Sequence, residues 1–152
     1  MSQKVIDLLN QGRAREIAAV QQYMAQHYEL EDKGFGKLGK KLKEIAIVEM
    51  KHAEKLADRI LFLKGDVNYK PDGLPKKGEE ITNLLTTDIG LEAQAVRMYN
   101  EAAVVCAAEK DQISKELFED LLKDEEDHID FFENTKEHVD KLGSAYVATL
   151  LD

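Results

Sequence analysis

The chain has 152 residues, 43% of them hydrophobic and 34% charged, which suits one domain with a single sizeable core. Its formal net charge of −9 argues against nucleic acid as a partner and fits a protein that handles cations. The single cysteine, Cys106, excludes an internal disulfide, a CxxC pair and a four-cysteine metal site, and it favours a reducing, cytoplasmic setting.

Neither a signal peptide nor a membrane span is predicted. Charged residues interrupt the N-terminal segment, so it lacks the apolar stretch of a signal peptide. The densest apolar run, "AAVVCAA" at 102–108, falls far short of the roughly 18 to 20 residues needed to cross a bilayer. We therefore expect no membrane partner.

The first half of the chain predicts a helical hairpin. Apolar residues recur at helical spacing from Val5 to Tyr28, and the glycine-containing segment "EDKGFGKLG" at 31–39 then breaks the pattern. Apolar residues from Leu42 to Leu63 continue a second helix, and Gly65 is the expected C-cap. The first helix pair is thus predicted at about 3–65.

The second half predicts another hairpin after one long connection. Both prolines of the chain fall in "GDVNYKPDGLPKKG" at 65–78, so a crossover is expected at about 66–78. A third helix follows at about 79–108, and a fourth at about 112–142 has Asp111 as its N-cap. Gly143 ends the fourth helix, and a short helix is expected at about 144–151.

No segment is typical of a strand, so the predicted fold class is all-α. Helices of 25 to 30 residues would each be roughly 40 Å long. Two hairpins joined by one long crossover make an antiparallel four-helix bundle of the ferritin-like type, with a short fifth helix at its end. We predict one such domain over residues 1–152, with helix pairs at about 3–65 and 79–142.

The two halves carry the same ligand-type residues. The chain has two Glu-x-x-His spacings, Glu49 with His52 in "EMKHAEK" and Glu125 with His128 in "KDEEDHID". A further glutamate lies 33 residues before each of these two glutamates, and a tyrosine follows that glutamate after seven residues. The first half has Glu16 and Tyr23, and the second has Glu92 and Tyr99. This duplication indicates an internal pseudo-repeat.

The pseudo-repeat predicts a di-metal site in the core of the bundle. Residues three apart on a helix share a face, so each histidine points the same way as its glutamate. Packing about a pseudo-twofold axis would bring four carboxylates and two imidazoles together. Unpartnered buried carboxylates are costly, and two divalent cations would balance their charge. Carboxylate and imidazole ligands suit iron(II) or manganese(II). The predicted ligands are Glu16, Glu49, His52, Glu92, Glu125 and His128.

Simpler interpretations of single residues remain open. Any one acidic residue can lie on a solvated helix face, and Glu16 could pair with Arg13 or Arg15 in a surface network. His27 and His138 lack matching partners and are interpreted as surface or packing residues. Met24 and Met98 are interpreted as core residues.

The sequence resembles the bacterioferritins, the haem-containing branch of the ferritin-like family, over essentially its whole length. The resemblance includes "EIAAVQQY" at 16–23, "EMKHAEKLADRILFLKG" at 49–65, "LLKDEEDHIDFFE" at 121–133 and the terminal "YVATLLD". It implies a hollow shell of 24 identical subunits, built from dimers, that stores iron. Iron(II) would be oxidised to iron(III) by O2 or H2O2, so the chain would be a ferroxidase with two iron ions per subunit.

The same resemblance assigns roles to residues. Glu16 and Glu92 would be terminal ligands, Glu49 and Glu125 would bridge the two metals, and His52 and His128 would each bind one. Tyr23 matches a tyrosine that hydrogen-bonds a ligand or gives up an electron.

A haem of the b type, or a related one, would be shared by two subunits, with Met50 as an axial ligand. Helix geometry agrees, because Met50 is rotated about 100° from Glu49 and would point toward the outer surface if Glu49 points inward. An apolar dimer contact without haem is the alternative. A ferredoxin is a candidate electron donor.

Related families differ in recognisable ways. Some ferritin-like proteins have an additional iron site on the inner surface of the shell, and Val48 at that position here argues against one beside Glu44. A non-haem bacterial ferritin and a rubrerythrin-like di-iron peroxidase are the alternatives, although a single cysteine excludes a rubredoxin domain. A DNA-protecting mini-ferritin would have other ligand spacings and often a basic tail.

Overall fold

The computed structural model describes residues 2–152, which form five α-helices and one 3-10 turn. The helices are α1 (Gln3–Asp32), α2 (Gly36–Phe62), α3 (Ile81–Ala108), α4 (Gln112–Leu142) and α5 (Ser144–Val147), and the 3-10 turn spans Ala148–Leu150. No strand occurs among residues 2–152. The predicted all-α class, a four-helix bundle with a short C-terminal helix, is confirmed. Met1, which belongs to the predicted domain, lies outside the described residues.

The bundle consists of two helical hairpins. α1 packs along α2 and α3 along α4, and the hairpins meet through α1 with α3 and α2 with α4. The crossover at 63–80 follows α1 from its N-terminal toward its C-terminal half. The side chain of Asn10 accepts from the backbone N–H of Asn68, and Gln22 exchanges two hydrogen bonds with the backbone of Lys76. This path starts α3 at the end of the bundle where α1 finishes, so the two helices run antiparallel.

The apolar core is divided into two clusters. One contains Tyr99 and Phe118, whose ring centroids are 5.5 Å apart, and the other contains Tyr23 and Phe132, 5.6 Å apart. Each cluster draws side chains from all four long helices. The hydroxyl groups of the two tyrosines also donate hydrogen bonds to glutamates at the centre of the bundle. The clusters therefore hold the central side chains in place and shield them from water.

The N-cap of α4 is Asp111. Its Oδ1 accepts from the backbone N–H of Ser114 at 3.0 Å and from Nη2 of Arg59 at 2.7 Å. The residue before it, Lys110, has a φ of +61°, which ends α3 without a glycine. Because Arg59 lies on α2, this cap also ties the end of the first hairpin to the second.

The end of α2 differs in detail from the expectation. The helix ends at Phe62, and the residue in the left-handed conformation is Lys64, with a φ of +64°, not Gly65. Gly65 donates its backbone N–H to the Ile60 carbonyl at 2.9 Å. A Cβ on Gly65 would lie 2.7 Å from Cγ2 of Ile6. The glycine is therefore needed for the close approach of α1 and not for its own backbone conformation.

The apolar periodicity has a few exceptions at the surface. Tyr28 and Ile47, which fit the helical pattern, are 64% and 39% exposed. Met24 and Met98, predicted as core, are half-buried and lie against the edges of the two clusters. Among the described residues, no helix combines the length and apolar character that crossing a bilayer would require.

Candidate metal centre

Each long helix places one glutamate at the centre of the bundle, and α2 and α4 each add a histidine one turn further on. All four glutamates are completely buried, and the two histidines are buried to more than nine-tenths. The structure thus brings together the six residues that the pseudo-repeat singled out: Glu16 on α1, Glu49 and His52 on α2, Glu92 on α3, and Glu125 and His128 on α4.

The six side chains form two overlapping groups of possible ligands. Glu16 and His52 belong to one group, Glu92 and His128 to the other, and both groups include Glu49 and Glu125. Within each group, one ligand atom per residue lies within 4.8 Å of all the others. Two sites that share two carboxylates have the geometry of a dinuclear centre with two bridging ligands.

The shared carboxylates lie between the two imidazoles. Nδ1 of His52 is 3.2 Å from Oε1 of Glu49 and 3.5 Å from Oε1 of Glu125. Nδ1 of His128 is 3.6 Å and 3.3 Å from the same two oxygens. Each of these two oxygens thus faces both histidines. A carboxylate oxygen that bridges two metal ions needs this position between the two imidazole ligands.

Every one of the six residues has a buried polar atom without a hydrogen-bond partner. These atoms are Oε2 of Glu16 and of Glu92, Oε1 of Glu49 and of Glu125, and Nδ1 of each histidine. A buried polar atom that is left unpaired costs about 1–3 kcal/mol, so six at one place need a compensating partner. Carboxylate oxygens and imidazole nitrogens are ligands for iron(II), manganese(II) and zinc(II). The residues therefore fit a pair of divalent cations.

Arg15 is a residue of this site that the sequence interpretation placed elsewhere. The suggested surface network of Glu16 with an arginine is wrong, because the Arg15 and Glu16 side chains are completely buried. Nη1 of Arg15 donates to Glu49 at 2.5 Å, to Glu16 at 3.2 Å, and to Glu125. A long flexible side chain can turn inward from a position beside the ligand face. Helical spacing alone does not reveal this.

The two tyrosines of the pseudo-repeat form hydrogen bonds that connect the two helical hairpins. Tyr23 on α1 donates its hydroxyl to Oε1 of Glu92 at 2.5 Å, and Tyr99 on α3 donates to Oε1 of Glu16, also at 2.5 Å. Burial is the largest influence on both phenols and raises their pKa, and the nearby carboxylates raise it further. Each tyrosine therefore stays protonated and fixes the glutamate of the opposite hairpin.

Asp124 is a second residue that the sequence interpretation missed. Its Oδ2 lies 2.7 Å from Nε2 of His52, which leaves Nδ1 of that ring directed at the carboxylates. A carboxylate on the outer nitrogen of a histidine orients the ring and makes it a better metal ligand. The position equivalent to Asp124 in the first hairpin is Val48, so His128 has no such partner from α2. Comparing the two halves beyond the ligand spacing would have shown this asymmetry.

The carboxylates respond differently to burial. Burial, reinforced by neighbouring negative charges, raises the pKa of Glu16 and, more strongly, that of Glu125. Burial also acts on Glu49, but the charge of Arg15 and the nearby imidazole of His52 outweigh it and lower the pKa of Glu49 below the usual range. Without metal, the central negative charge is therefore reduced by protons as well as by Arg15.

The imidazoles are held in their protonated forms by the same carboxylates. Burial lowers the pKa of His52, but the carboxylates of Glu16 and Glu49, 3.6 and 3.2 Å from Nδ1, outweigh burial and raise the pKa to about 10. The pKa of His128 is also raised, because Glu92 and Glu49 outweigh the effect of burial. A metal at either Nδ1 must replace a proton there.

The remaining candidates lie outside the centre. Met50 is 45% exposed, on the outer side of α2, where Ile47 one turn before it is also exposed. Glu44 is exposed and lies 3.9 Å from Lys41, while Val48 is half-buried. His27 is half-buried with Nδ1 against the Gly39 carbonyl, and the exposed His138 stacks on Tyr146.

Comparison with known proteins identifies the family. The family model of the ferritin-like domain matches residues 6–142. The bacterioferritin of Desulfovibrio desulfuricans is 36% identical over 147 residues, which cover 97% of this chain and 82% of that protein. The chain belongs to the bacterioferritins of the ferritin-like family. The bacterioferritin of Rhodobacter capsulatus is 40% identical over 148 residues, covering 97% of this chain and 91% of the relative.

Solved bacterioferritin structures have the same fold. The X-ray structure of the Desulfovibrio desulfuricans protein superposes with a TM-score of 0.95 at 36% identity and covers 97% of this chain and 86% of that one. It is described as showing a diiron site in different catalytic states. Mycobacterium tuberculosis bacterioferritin BfrA superposes with a TM-score of 0.96 at 31% identity, covering 100% of this chain and 96% of that one. The resemblance stated from sequence motifs is confirmed.

Proposed function

We propose that the chain is an iron-storage subunit that oxidises iron(II) at the centre of its helical bundle. Membership of the bacterioferritins supports iron storage. The observation that carries the proposal is the pair of overlapping ligand groups, which share Glu49 and Glu125. Four buried carboxylates and two imidazoles with unpartnered atoms are otherwise a costly arrangement.

The substrate in this proposal is iron(II), bound as a pair. Glu49 and Glu125 bridge the two ions, Glu16 and His52 complete one site, and Glu92 and His128 complete the other. O2 or H2O2 accepts the electrons that the iron gives up. Tyr23 and Tyr99 hold the two terminal carboxylates, and the apolar clusters above and below exclude water. Tyr23 is the proposed residue for hydrogen bonding or electron donation during oxidation.

Storage requires an assembly with a cavity. Relatives of this kind support a homo-oligomer, and we propose a cytoplasmic shell of 24 subunits built from dimers, in which ferric mineral collects. The net charge of −9 per chain would attract cations to such a shell. Size measurement by light scattering tests the assembly, and a particle of 12 subunits or a dimer would overturn it.

A haem between two subunits is the finer part of the proposal. Met50, 45% exposed on the outer side of α2 beside an exposed isoleucine, suits an axial ligand of a haem shared by two subunits. Haem bound there would supply one-electron chemistry, for which a ferredoxin is the proposed donor. Replacing Met50 with Leu should remove haem absorbance from the purified particle, while Met98→Leu, at a half-buried core position, should retain it. Unchanged haem content in the Met50 variant would refute its role as a ligand, whereas a wild-type particle without haem absorbance would favour a non-haem ferritin.

The ferroxidase site is tested by single substitutions with matched controls. Glu125→Ala should slow iron(II) oxidation by at least about 100-fold, because it removes a shared ligand of both metals. Glu126→Ala, an exposed neighbour on the same helix, should oxidise iron(II) at the wild-type rate. The measurement is stopped-flow absorbance after mixing iron(II) with aerobic buffer. Wild-type rates in the Glu125 variant would contradict the proposed site.

A further inference from the structure

Arg15 lies among the four carboxylates that the proposed function assigns to iron. Its Nη1 donates to Glu16, Glu49 and Glu125, and its Nη2 is 3.3 Å from Oε1 of Glu92. No part of its side chain is exposed to solvent. One guanidinium therefore contacts a carboxylate from each of the four long helices, which no other cationic side chain among the described residues does.

The four carboxylates cannot bind the guanidinium of Arg15 and two metal ions tightly at the same time. Two divalent cations balance four carboxylate charges, so a guanidinium retained at the centre would add an unbalanced positive charge in a buried place. Metal ligation brings cations to about 2 Å from the carboxylate oxygens, where the Nη1 and Nη2 nitrogens already lie between 2.5 and 3.3 Å from Glu49, Glu16 and Glu92. The repulsion between like charges at such distances is strong in a buried site.

The arginine is a feature of one hairpin only. The position equivalent to Arg15 in the second hairpin is Leu91, and Nη2 of Arg15 donates to the backbone carbonyl of that leucine at 3.1 Å. Nε of Arg15 has no hydrogen-bond partner, so only the end of the side chain is held. Because Arg15 lies on α1 and Leu91 on α3, this hydrogen bond connects the two helices.

We propose that Arg15 is a resident counter-cation that competes with metal for the centre and makes it a transit site for iron. This inference rests on the proposed function. With no metal bound, Arg15 neutralises part of the carboxylate charge and holds the four helices together. The side chain withdraws when two metal ions bind and returns when they leave. Its return favours the release of oxidised iron toward storage over its retention as a permanent cofactor.

The first experiment compares metal affinity in two variants. Arg15→Met removes the charge and keeps an unbranched side chain of high helix propensity. Arg13→Met is the matched control, because Arg13 lies two residues away and donates to the carbonyls of Ala53 and Asn68 outside the centre. Metal-free proteins are titrated with cobalt(II) in the absence of air, so that the metal stays divalent. Binding is followed by calorimetry and by visible absorbance.

The Arg15 variant should bind two cobalt(II) ions per subunit about tenfold or more tightly than the wild type, and it should release them more slowly to a chelator. Without metal it should melt at a lower temperature, and cobalt(II) should restore more stability to it than to the wild type. The Arg13 variant should match the wild type in affinity and in release rate.

The outcomes separate this inference from the proposed function. Equal cobalt(II) affinities and release rates in the wild type and the Arg15 variant overturn the inference and leave the di-metal site standing. Failure of both to bind two ions per subunit overturns the proposed function as well.

A crystal structure of the cobalt(II)-loaded wild type tests the displacement directly, even if the Arg15 variant does not fold. The guanidinium should then lie outside hydrogen-bonding distance of Glu49 and Glu125. Its presence between them with two cobalt ions bound overturns the inference.

Discussion

Replacing Asp88 with asparagine should make the metal-free protein more stable at neutral pH. Asp88 lies on α3 one turn before Glu92, is completely buried, and neither of its carboxylate oxygens accepts a hydrogen bond. Burial raises the pKa of Asp88 well above its usual value. The nearby amide of Gln26 opposes this shift, and the charges of Glu92 and Glu79 reinforce it. An isosteric neutral amide avoids the cost of ionising a carboxyl group in this place.

The magnitude follows from proton linkage. A raised pKa in the folded state means that the folded protein keeps the Asp88 proton when the unfolded chain has lost it. Stability is therefore lost as the pH rises above about 4, the ordinary value for aspartate, and the loss continues up to the folded pKa. The slope is about 1.4 kcal/mol per pH unit for one proton. The variant and the wild type should be about equally stable near pH 4, and the difference between them should grow at that slope as the pH rises toward the folded pKa of Asp88.

Urea unfolding of the metal-free proteins measures this difference. The free energy of unfolding is compared at several pH values and at one protein concentration, since an assembly adds a concentration dependence. Asp127→Asn, which changes an exposed carboxylate on α4, is the control, and its stability should follow that of the wild type at each pH. Parallel pH curves for the Asp88 variant and the wild type would refute the argument that this carboxyl group is buried without a donor.

Four further substitutions test the packing and polar contacts around the centre. Tyr99→Phe and Tyr23→Phe each remove a 2.5 Å hydrogen bond to a buried glutamate, so each should lower the free energy of unfolding by about 1.5–3 kcal/mol; a negligible loss in both would contradict the cross-hairpin bonds. Asp111→Ala removes the cap on the Ser114 N–H and should lower the free energy of unfolding in urea by about 1–2 kcal/mol. An unchanged free energy would show that the cap does not stabilise the protein. Phe118→Ala leaves a cavity in a fully buried site and should lower the same free energy by about 3–5 kcal/mol; a loss below 1 kcal/mol would mean that the core collapses around it.

Much of the fold, and the cluster of glutamates and histidines at its centre, could be predicted because both follow from regular spacing. Apolar residues at helical intervals and one proline-containing connection predict two hairpins. Glutamate and histidine three residues apart share a helix face, so their duplication predicts that both motifs point inward. The resemblance to bacterioferritins covers the same residues, and the comparisons confirm it. These features depend on local geometry, which the order of residues along each helix determines.

Side-chain contacts between helices do not follow from the spacing of residues along each helix. The neighbour of a ligand is rotated about 100° around the helix, so Arg15 beside Glu16 suggested a surface ion pair. Its side chain is long enough to turn into the bundle, where four carboxylates compensate its burial. Asp124 reaches His52 from another helix in a similar way.

The sequence by itself determined the helical hairpins, the six inward-facing glutamates and histidines and the outward position of Met50, because these depend on helical periodicity. Only the tertiary structure decided which polar neighbours share the centre. In that structure each tyrosine donates a hydrogen bond to a glutamate of the other hairpin, and Asp88 has no hydrogen-bond donor. The tertiary structure also places one guanidinium where the metals are expected. The physical reason is that these contacts depend on how far each side chain reaches across the helix interfaces, and on which buried charges can neutralise one another there.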